Sequence, residues 1–370
     1  MIDLSVVIPT KDRLGLLGWC LEGVSRAAER AGREGISAEV VVSVDGPDEG
    51  EGASASARLG GVPTVVLSAR PGDAAGPAAA RNRALDAVRG EIVLFLNDDA
   101  APDEACFAEH ARAHAALGGR AAMVLGDAPW EDRPGKSAFD ALVERTSTIF
   151  FYDVMHAAEP DPGRDWGFRH AWTLNLSLPT ALARSAGGFT TEMARPVYED
   201  LEFAHRCVES GGAPVLYRPE ARVVHRHRYE PEGLLRRDAL LGHQAVRLAR
   251  INPACARAMF GRDLFDTEWA YVAARSLERT RSLAVRSAAL LSDLTREPEP
   301  AGGPSGAAAL RGWYLASQHA RRWAFDAGLV AGHAGRSADE AGSALDELLA
   351  GAGDVGPVAE SSRRVAGARV

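Results

Sequence analysis

The sequence predicts an α/β fold in which a mostly parallel central sheet is flanked by helices and followed by an α-helical extension. In the first third of the chain, short apolar segments alternate with stretches that are apolar at helical spacing. Buried parallel strands and the helices that cover them produce this alternation. Beyond Pro231 only helical periodicity remains. At 370 residues the chain has room for about two domains of ordinary size.

The first third of the chain defines the sheet. Its apolar segments are short, continuous and rich in β-branched residues, as expected for strands that are buried on both faces. The first covering helix has Leu14, Leu17 and Leu21 on one face. Pro77 suits the first turn of another helix, where its missing N–H is not needed. The predicted strands are 4–9, 40–44, 63–67, 92–96 and 121–125, and the predicted helices are 14–31, 77–88 and 103–117.

The rest of the chain divides into an irregular part and a helical part. From 130 to 229 the sequence is rich in aromatic residues and less periodic, which is typical of a region that faces a substrate. The helical extension, 231–296, begins with the amphipathic segment 234–251, which has leucines on one face and arginines on the other. A further helix is predicted at 267–291, and a Pro/Gly-rich linker follows at 297–306. The helical part 307–350 contains helices at 307–329 and 338–349. The tail, 351–370, is predicted to be disordered.

Composition and charge exclude several classes of protein. Lys and Arg number 42 against 50 Asp and Glu, which gives a net charge of −8, so no nucleic-acid partner is expected. No apolar run approaches the roughly 18–20 residues of a membrane span, and the N-terminus lacks the basic region of a secretory signal. Cys20, Cys106, Cys207 and Cys255 are scattered without paired spacing. We therefore expect buried, reduced thiols in a cytoplasmic protein.

Two adjacent carboxylates follow the predicted strand 92–96. Asn97, Asp98 and Asp99 stand at its carboxyl end, where ligands of parallel sheets bind. Neighbouring carboxylates repel each other unless a cation or a donor-rich ligand is present. Mg²⁺ and Mn²⁺ take carboxylate and phosphate oxygens together, so the motif favours a metal and phosphate site. The alternative is a turn that Asp caps at the start of the next helix.

Arg81 and Asp45 are further candidates for a phosphate or nucleotide site. Small residues around Gly76 precede the helix that begins at Pro77, so the positive end of this helix and Arg81 could face phosphates. Asp45 ends a strand and could accept hydrogen bonds from a base or a ribose. The alternatives are a surface arginine and an Asp–Gly turn. Neither a Walker nor a dinucleotide glycine pattern is present, so ATP hydrolysis and NAD binding are not indicated.

Acidic residues and histidines recur in the second half of the chain. Glu199 and Asp200 open a helical segment, where a carboxylate could take a proton from an attacking hydroxyl. Stabilisation of acids by the helix dipole is the alternative. His225 and His227 end a short basic strand, where a histidine could complete a metal site or contact phosphate. An exposed basic strand end is the alternative.

Taken in order, these motifs resemble those of family 2 glycosyltransferases, which have the GT-A fold. The resemblance covers about residues 3–228. It implies a metal-assisted, inverting transfer from a nucleotide sugar, with a nucleotide-sugar-binding half at 1–120 and an acceptor-binding half at 121–230. The matching segments are 6–13, 44–45, 76–82, 97–99, 175–179, 187–189, 199–202 and His225.

The resemblance also implies roles for individual residues. It makes Asp200 the general base, beside Glu199. It places a Mn²⁺ or Mg²⁺ cofactor on Asp99 and His225, with His227 as the alternative histidine. Asn97 stands where the family usually has the first Asp of an Asp-x-Asp motif. The implied donor-binding residues are Pro9, Thr10, Arg13, Asp45, Arg81, Asn97 and Asp98.

The implied substrates are a hexose donor of the UDP or dTDP type and an acceptor hydroxyl. The acceptor could be a glycan, as in polysaccharide biosynthesis, a lipid-linked molecule or a small molecule, and we expect it to contact Trp172 and Asn175. A catalytically degenerate GT-A-fold binding or scaffold protein and a sugar nucleotidyltransferase are the alternative functions. The Leu and Arg faces of 234–251 leave two further options open. This helix could contact the inner face of an anionic membrane, or it could pack against the catalytic domain or a homodimer partner.

Overall fold

The computed structural model of the chain describes residues 2–193 and 195–353. The chain forms two compact units, each built from two stretches of sequence. Unit 1 consists of Met1–Glu131 and Met155–His227, and unit 2 consists of Asp132–Val154 and Arg228–Val370. Residues 132–154 thus group with the C-terminal helices, whereas the sequence predicts them to lie in the acceptor-binding half.

Within the described residues, unit 1 holds eight strands that form one sheet in the order β3-β2-β1-β4-β7-β6-β8-β5. Six of these strands run in one direction, whereas β7 is antiparallel to β4 and β6, and β5 is antiparallel to β8. The predicted α/β fold with a mostly parallel sheet is therefore confirmed. The strands are β1 (Leu4–Thr10), β2 (Ala38–Val44), β3 (Thr64–Ser68), β4 (Ile92–Leu96), β5 (Ala100–Pro102), β6 (Met123–Asp127), β7 (Asn175–Pro179) and β8 (Val215–His225).

Helices cover both faces of this sheet, as its apolar strands require. All seven residues of β1 are buried. Phe95 of β4 is fully buried, and its ring packs edge-on against Phe189 and Phe203 at centroid distances of 5.1 and 6.2 Å. Each aromatic side chain removed from water in this way contributes about 1.5–3 kcal/mol. The helices of unit 1 are α1 (Leu14–Arg33), α2 (Glu51–Leu59), α3 (Pro77–Ala87), α4 (Cys106–Ala116), α7 (Thr180–Ser185) and α8 (Glu199–Gly211), with a 3₁₀ turn at Phe168–His170.

The sequence pattern does not predict α2, β5, β7 or α7 as separate elements of this unit, and α2 and β5 show why. Helix α2 is short and consists mainly of Gly, Ala and Ser, so it shows no apolar periodicity. Strand β5 has three residues, Ala-Ala-Pro, which is too short for a period-2 pattern. Strand β5 owes its conformation to β8, which is distant in sequence.

Unit 2 is helical in its described part. Helices α9 and α12 approach each other at backbone distance, because a Cβ added at Gly242 would lie 1.9 Å from the carbonyl oxygen of Phe325. Leu234, Leu235 and Leu248 of α9 are buried in this unit, so the leucine face is covered by protein. The helices are α5 (Ala138–Arg145), α9 (Pro231–Ile251), α10 (Pro253–Phe260), α11 (Thr267–Leu294), α12 (Pro304–His333) and α13 (Ala341–Gly353), and α6 (Tyr152–Ala157) spans the sequence boundary between the units.

The predicted linker at 297–306 is tied to the start of α5. The backbone N–H of Ala138 donates to the carbonyl of Glu297 at 2.8 Å, and that of Glu299 donates to Lys136 at 3.1 Å. Proline and glycine here mark a fixed turn between α11 and α12. Of the tail predicted to be disordered, 351–353 end α13, and 354–370 lie outside the described residues.

Among the described residues, every helix is too short or too polar to cross a membrane.

Candidate active site

A cavity of about 330 Å³ lies at the carboxyl ends of β1, β2 and β4 in unit 1. Parallel strands present their carboxyl ends at one edge of a sheet, which explains why side chains distant in sequence meet here. The structure brings together all of the residues predicted to bind a donor. These lining residues are Pro9, Thr10, Arg13, Asp45, Arg81, Asn97 and Asp98.

Asp98 forms the floor of the cavity and is 1% exposed. Its Oδ2 accepts hydrogen bonds from Thr10 Oγ1 at 2.8 Å and from Arg13 Nε at 3.1 Å. The Nη2 atom of Arg13 also contacts Asp98 Oδ1. Burial raises the pKa of Asp98, and the Arg13 guanidinium opposes this effect. Asp98 is thus bonded to Thr10 and Arg13 on the protein side.

Asp45 borders the cavity at the end of β2. Its Oδ1 accepts a hydrogen bond from the backbone N–H of Gly76 at 2.9 Å, and Lys11 Nζ lies 3.4 Å from its Oδ2. Gly76 has a φ of 98°, a left-handed conformation that favours glycine. The turn before α3 therefore fixes the orientation of Asp45.

Asp99 meets two histidines because β5 pairs with the end of β8. Ala100 is paired with His225 in this ladder, and the N–H of Arg226 donates to the carbonyl of Asp99 at 2.8 Å. The two histidine contacts follow from this pairing. His225 Nε2 lies 3.7 Å from Asp99 Oδ1, and His227 Nδ1 lies 3.5 Å from Oδ2.

The electrostatics of this cluster favour a charged carboxylate beside a neutral imidazole. Burial disfavours the charge of Asp99, but the hydrogen bond with His227 and the charges of His225 and Arg13 outweigh it and lower the pKa of Asp99 to about 2. Burial lowers the pKa of His225 to about 4. Near neutral pH the site therefore offers an anionic oxygen and an imidazole nitrogen with a lone pair.

These three side chains fit a divalent metal ion. Ligand atoms of Asp99, His225 and His227 all lie within 4.8 Å of one another. Oδ1 of Asp99 is buried and accepts no hydrogen bond from the described part of the chain. A carboxylate with imidazoles suits Mn²⁺ and related transition metals. The structure thus brings both candidate histidines to Asp99.

Trp130 supports His225 from the side of β6. The two rings lie 4.6 Å apart with an interplanar angle of 36°. The N–H of His225 donates to the carbonyl of Pro129 at 2.8 Å, and the N–H of Glu131 donates to that of His225 at 2.9 Å. Sequence reasoning did not single out Trp130, and the one available signal was an aromatic residue shortly after a predicted strand.

Arg81 links the cavity to helix α8. It is 4% exposed, and its Nη1 lies 3.1 Å from Oε1 of Glu199, which is also buried. Its Nη2 donates to Asn97 Oδ1 at 3.1 Å. A buried pair of this kind has low mobility, since separating the partners would leave a buried charge uncompensated. The first turn of α8 is therefore held beside the cavity wall.

Asp200 occupies this first turn of α8 and is half-buried. Burial and the negative charge of Glu199 raise its pKa to about 7, against the opposing charge of Arg81. Tyr198 precedes the helix with a φ of 67°, a conformation that costs about 1–3 kcal/mol and clusters at functional sites. A carboxylate with a pKa near 7 is suited to taking up a proton at neutral pH.

The two residues predicted to contact an acceptor, Trp172 and Asn175, are buried. The amide of Asn175 is fully buried and donates to the carbonyls of Asp127 and Ala221 at 3.0 and 2.8 Å, while His110 Nε2 lies 2.9 Å from its Oδ1. This corrects the expectation that Asn175 contacts an acceptor, because its amide is used inside the sheet. Trp172 is 7% exposed and offers an acceptor almost no ring surface.

Comparison with known proteins finds one matching family model and several similar structures. Residues 5–137 match the sequence model of the family described as Glycosyl transferase family 2. The mannosyltransferase PcManGT from Pyrobaculum calidifontis, solved with GDP-Man and Mn²⁺, is similar with a TM-score of 0.51 and 20% identity over 90% of this chain and 86% of that chain. A search of curated proteins finds no match.

Two structures of TarS from S. aureus are also similar. The structure of TarS 1–349 has a TM-score of 0.46 and 14% identity over 90% of this chain and 92% of that chain. A longer TarS structure has a TM-score of 0.44 and 15% identity over 66% of this chain, which spans 40% of that one.

The fold and the family match define the class of this protein. It is an enzyme of the GT-A fold, a glycosyltransferase. Its residues 5–137 match the glycosyltransferase family 2 model. The predicted family, fold class and enzyme class are confirmed.

Proposed function

We propose that this glycosyltransferase is an inverting enzyme that transfers a hexose from a nucleoside-diphosphate sugar, of the UDP or dTDP type, to an acceptor hydroxyl. The acceptor is a glycan, a lipid-linked molecule or a small molecule. The observation that carries the proposal is the buried Arg81–Glu199 pair. This pair joins the wall of the strand-end cavity to the helical turn that bears Asp200, which supports a role for Asp200 as the proton acceptor.

The cavity is suited to a nucleoside diphosphate. Arg81 and Lys11 line it, and α3 directs its N-terminus toward it from Pro77, an arrangement that favours phosphate groups. Asp45 supplies carboxylate oxygens that suit the hydroxyl groups of a ribose or the N–H groups of a base, and Asp98 holds Thr10 and Arg13 in place beside it. PcManGT, which shares the fold, was solved with the nucleotide sugar GDP-Man.

Asp200 is assigned the role of general base. With a pKa raised to about 7, its carboxylate accepts the proton of the acceptor hydroxyl as that oxygen forms a bond to the anomeric carbon. The bond from this carbon to the diphosphate breaks on the opposite face, and the nucleoside diphosphate leaves with the electron pair. A single displacement inverts the anomeric configuration.

Asp99, His225 and His227 are assigned to a Mn²⁺ or Mg²⁺ ion. The mixed oxygen and nitrogen ligand set favours Mn²⁺, since Mg²⁺ prefers oxygen ligands. When bound, the ion supplies positive charge that stabilises the leaving diphosphate. Trp130 and the β5–β8 pairing keep the side chains of His225 and Asp99 in place.

We place the enzyme in the cytoplasm, in a pathway of polysaccharide biosynthesis. Cys20, Cys106, Cys207 and Cys255 are all free and buried, which suits a reducing compartment. Leu234, Leu235 and Leu248 of α9 are buried within unit 2, which does not favour contact of these leucines with a membrane.

A donor screen followed by one substitution tests the proposal. Thermal shift with UDP-, dTDP- and GDP-hexoses and Mn²⁺ identifies the donor, and chromatography then measures its hydrolysis and transfer. Asp200→Asn is expected to lower kcat by about 10²–10⁴-fold, whereas Asp86→Asn, at an exposed site on α3, is expected to leave it unchanged. Full activity of Asp200→Asn removes this residue as the base. Donor binding without turnover supports a scaffold protein, and pyrophosphate exchange supports a nucleotidyltransferase.

A further inference from the structure

The orientation of the Asn97 side-chain amide is fixed by Arg81. Asn97 follows β4 on the wall of the cavity and is half-buried. Its side-chain oxygen lies 3.1 Å from Arg81 Nη2. A guanidinium can only donate, so the oxygen of the amide must face Arg81. Nδ2, at the other side of the amide, makes no hydrogen bond with the described residues.

Arg81 in turn is held on two further sides. Its Nη1 is paired with Glu199, and its guanidinium carbon lies 5.5 Å from the centre of the Phe189 ring. At 4% exposure, Arg81 has little freedom to release the amide. Rotating the amide by half a turn would oppose the N–H groups of Asn97 and Arg81, so the observed orientation is the stable one.

We propose that Asn97 is a substrate-binding residue that donates a hydrogen bond from Nδ2 to a phosphate oxygen of the nucleotide sugar. This inference rests on the proposed function, because it names the group of the nucleotide sugar that position 97 recognises. Carboxylate oxygens of Asp45 already line the cavity and suit hydroxyl and base N–H groups of a ligand. The uncharged N–H group of Asn97, which lies beside the positive charge of Arg81, is instead suited to an anionic oxygen.

A carboxylate at this position would have the opposite effect on a phosphate. Asn97→Asp keeps the size of the side chain and still accepts the hydrogen bond from Arg81. It replaces the two N–H donors by a second negative oxygen that faces the ligand. The variant therefore converts an attraction to phosphate into a repulsion, while the nucleoside contacts of the cavity stay as they are.

Binding of nucleosides and their diphosphates to wild type, Asn97→Asp and Asn97→Ala tests the inference. UDP and GDP are titrated by calorimetry, and uridine and guanosine by NMR, with a chelator present because a metal bridging carboxylate and phosphate would mask the repulsion. We expect Asn97→Asp to lower diphosphate affinity by about 10–100-fold and Asn97→Ala by about 10-fold, since hydrogen bonds to charged groups are strong. Nucleoside affinities should stay within about twofold.

A charge control and folding measurements complete the experiment. Ser56→Asp adds the same charge at an exposed position of α2 and should bind all ligands like wild type. Thermal melting shows whether each variant is folded, and Asn97→Ala still tests the lost donor if Asn97→Asp is not.

Three results would overturn the inference. Undiminished UDP and GDP binding by Asn97→Asp shows that position 97 does not donate to phosphate. An equal loss for UDP and uridine places the contact on the nucleoside. A wild type that binds neither diphosphate, with or without Mn²⁺, rejects the proposed function itself, and this result is distinct from the other two because they require binding by wild type.

Discussion

Asp99 and Asp200 each follow another acidic residue, Asp98 and Glu199, yet their environments move their pKa values in opposite directions. Asp99 is buried among Arg13, His225 and His227, which hold its pKa at about 2. Asp200 is half-buried beside Glu199, and its pKa rises to about 7. One carboxylate is thus a permanent anion, suited to a cation, and the other is suited to exchanging a proton at neutral pH.

The difference teaches that the partners of a carboxylate decide its chemistry. In the sequence, Asp98–Asp99 and Glu199–Asp200 are both simply two adjacent acidic residues. The strand-end pair gains donors because the fold brings β8 and the loop after β1 to it. The helical pair has one cationic partner, Arg81, and its Nη1 is paired with Glu199. The uncompensated carboxylate of the second pair is therefore the one with the raised pKa.

The largest effect is expected from removing the permanent anion. Asp99→Asn takes away one of the three ligands of the metal cluster and should weaken Mn²⁺ binding by about 100-fold or more, beyond the roughly 10–100-fold cost of losing an outer-shell partner. Electron paramagnetic resonance of free Mn²⁺ measures the affinity. Asp103→Asn, at an exposed site nearby, is the matched control. Equal Mn²⁺ affinity in Asp99→Asn and wild type would place the ion elsewhere.

The pH dependence of turnover should report Asp200 and not Asp99. A general base acts only when ionised, so kcat/KM should fall about tenfold per pH unit below about pH 7, which amounts to roughly 100-fold at about pH 5. Asp99 stays ionised throughout this range. The acidic limb of the pH–rate profile, that is the fall of kcat/KM at low pH, is measured on donor turnover at saturating Mn²⁺. A limb centred near pH 4 would contradict a raised pKa for Asp200.

How far the sequence predicts this site depends on the range of the contacts. Asp45 and Asn97 end parallel strands, and strand ends of such sheets meet, so their proximity follows from local patterns. The Arg81–Glu199 pair joins residues that are 118 positions apart. The three-residue β5, which pairs with His225, is too short to carry a pattern. Such contacts depend on tertiary packing, as does the burial of the Asn175 amide in the sheet.

A smaller effect should follow from neutralising Glu199. Glu199→Gln removes the negative neighbour of Asp200 and leaves more of the Arg81 charge to act on it. Both changes favour the ionised form, so the acidic limb should move down by about one pH unit. Donor affinity is measured in parallel. In this variant Arg81 loses its ion-pair partner, and a shift of Arg81 would change binding of the nucleotide sugar. An unchanged limb with intact donor affinity would show that Glu199 does not set the pKa of Asp200.

The smallest effects, shifts of a few degrees in melting temperature, should have opposite signs at the two sites. Asn is a stand-in for a protonated Asp. Folded Asp200 binds a proton more tightly than the unfolded chain does, with a pKa of about 7 against 3.8, so wild-type stability falls as pH rises through this window. Asp200→Asn should therefore melt above wild type at about pH 8 and lose this advantage toward about pH 5.

Asp99 has the reverse linkage, since its pKa is lowered from 3.8 to about 2 in the folded chain. Its contribution to stability is complete above pH 3.8 and disappears only as the pH falls toward about 2. Asp99→Asn should consequently melt below wild type by a similar amount at about pH 5 and at about pH 8. Calorimetry in the presence of a chelator measures both variants without a contribution from metal binding. If both variants changed the melting temperature in the same direction at about pH 8, the pKa values of Asp99 and Asp200 would not be shifted in opposite directions.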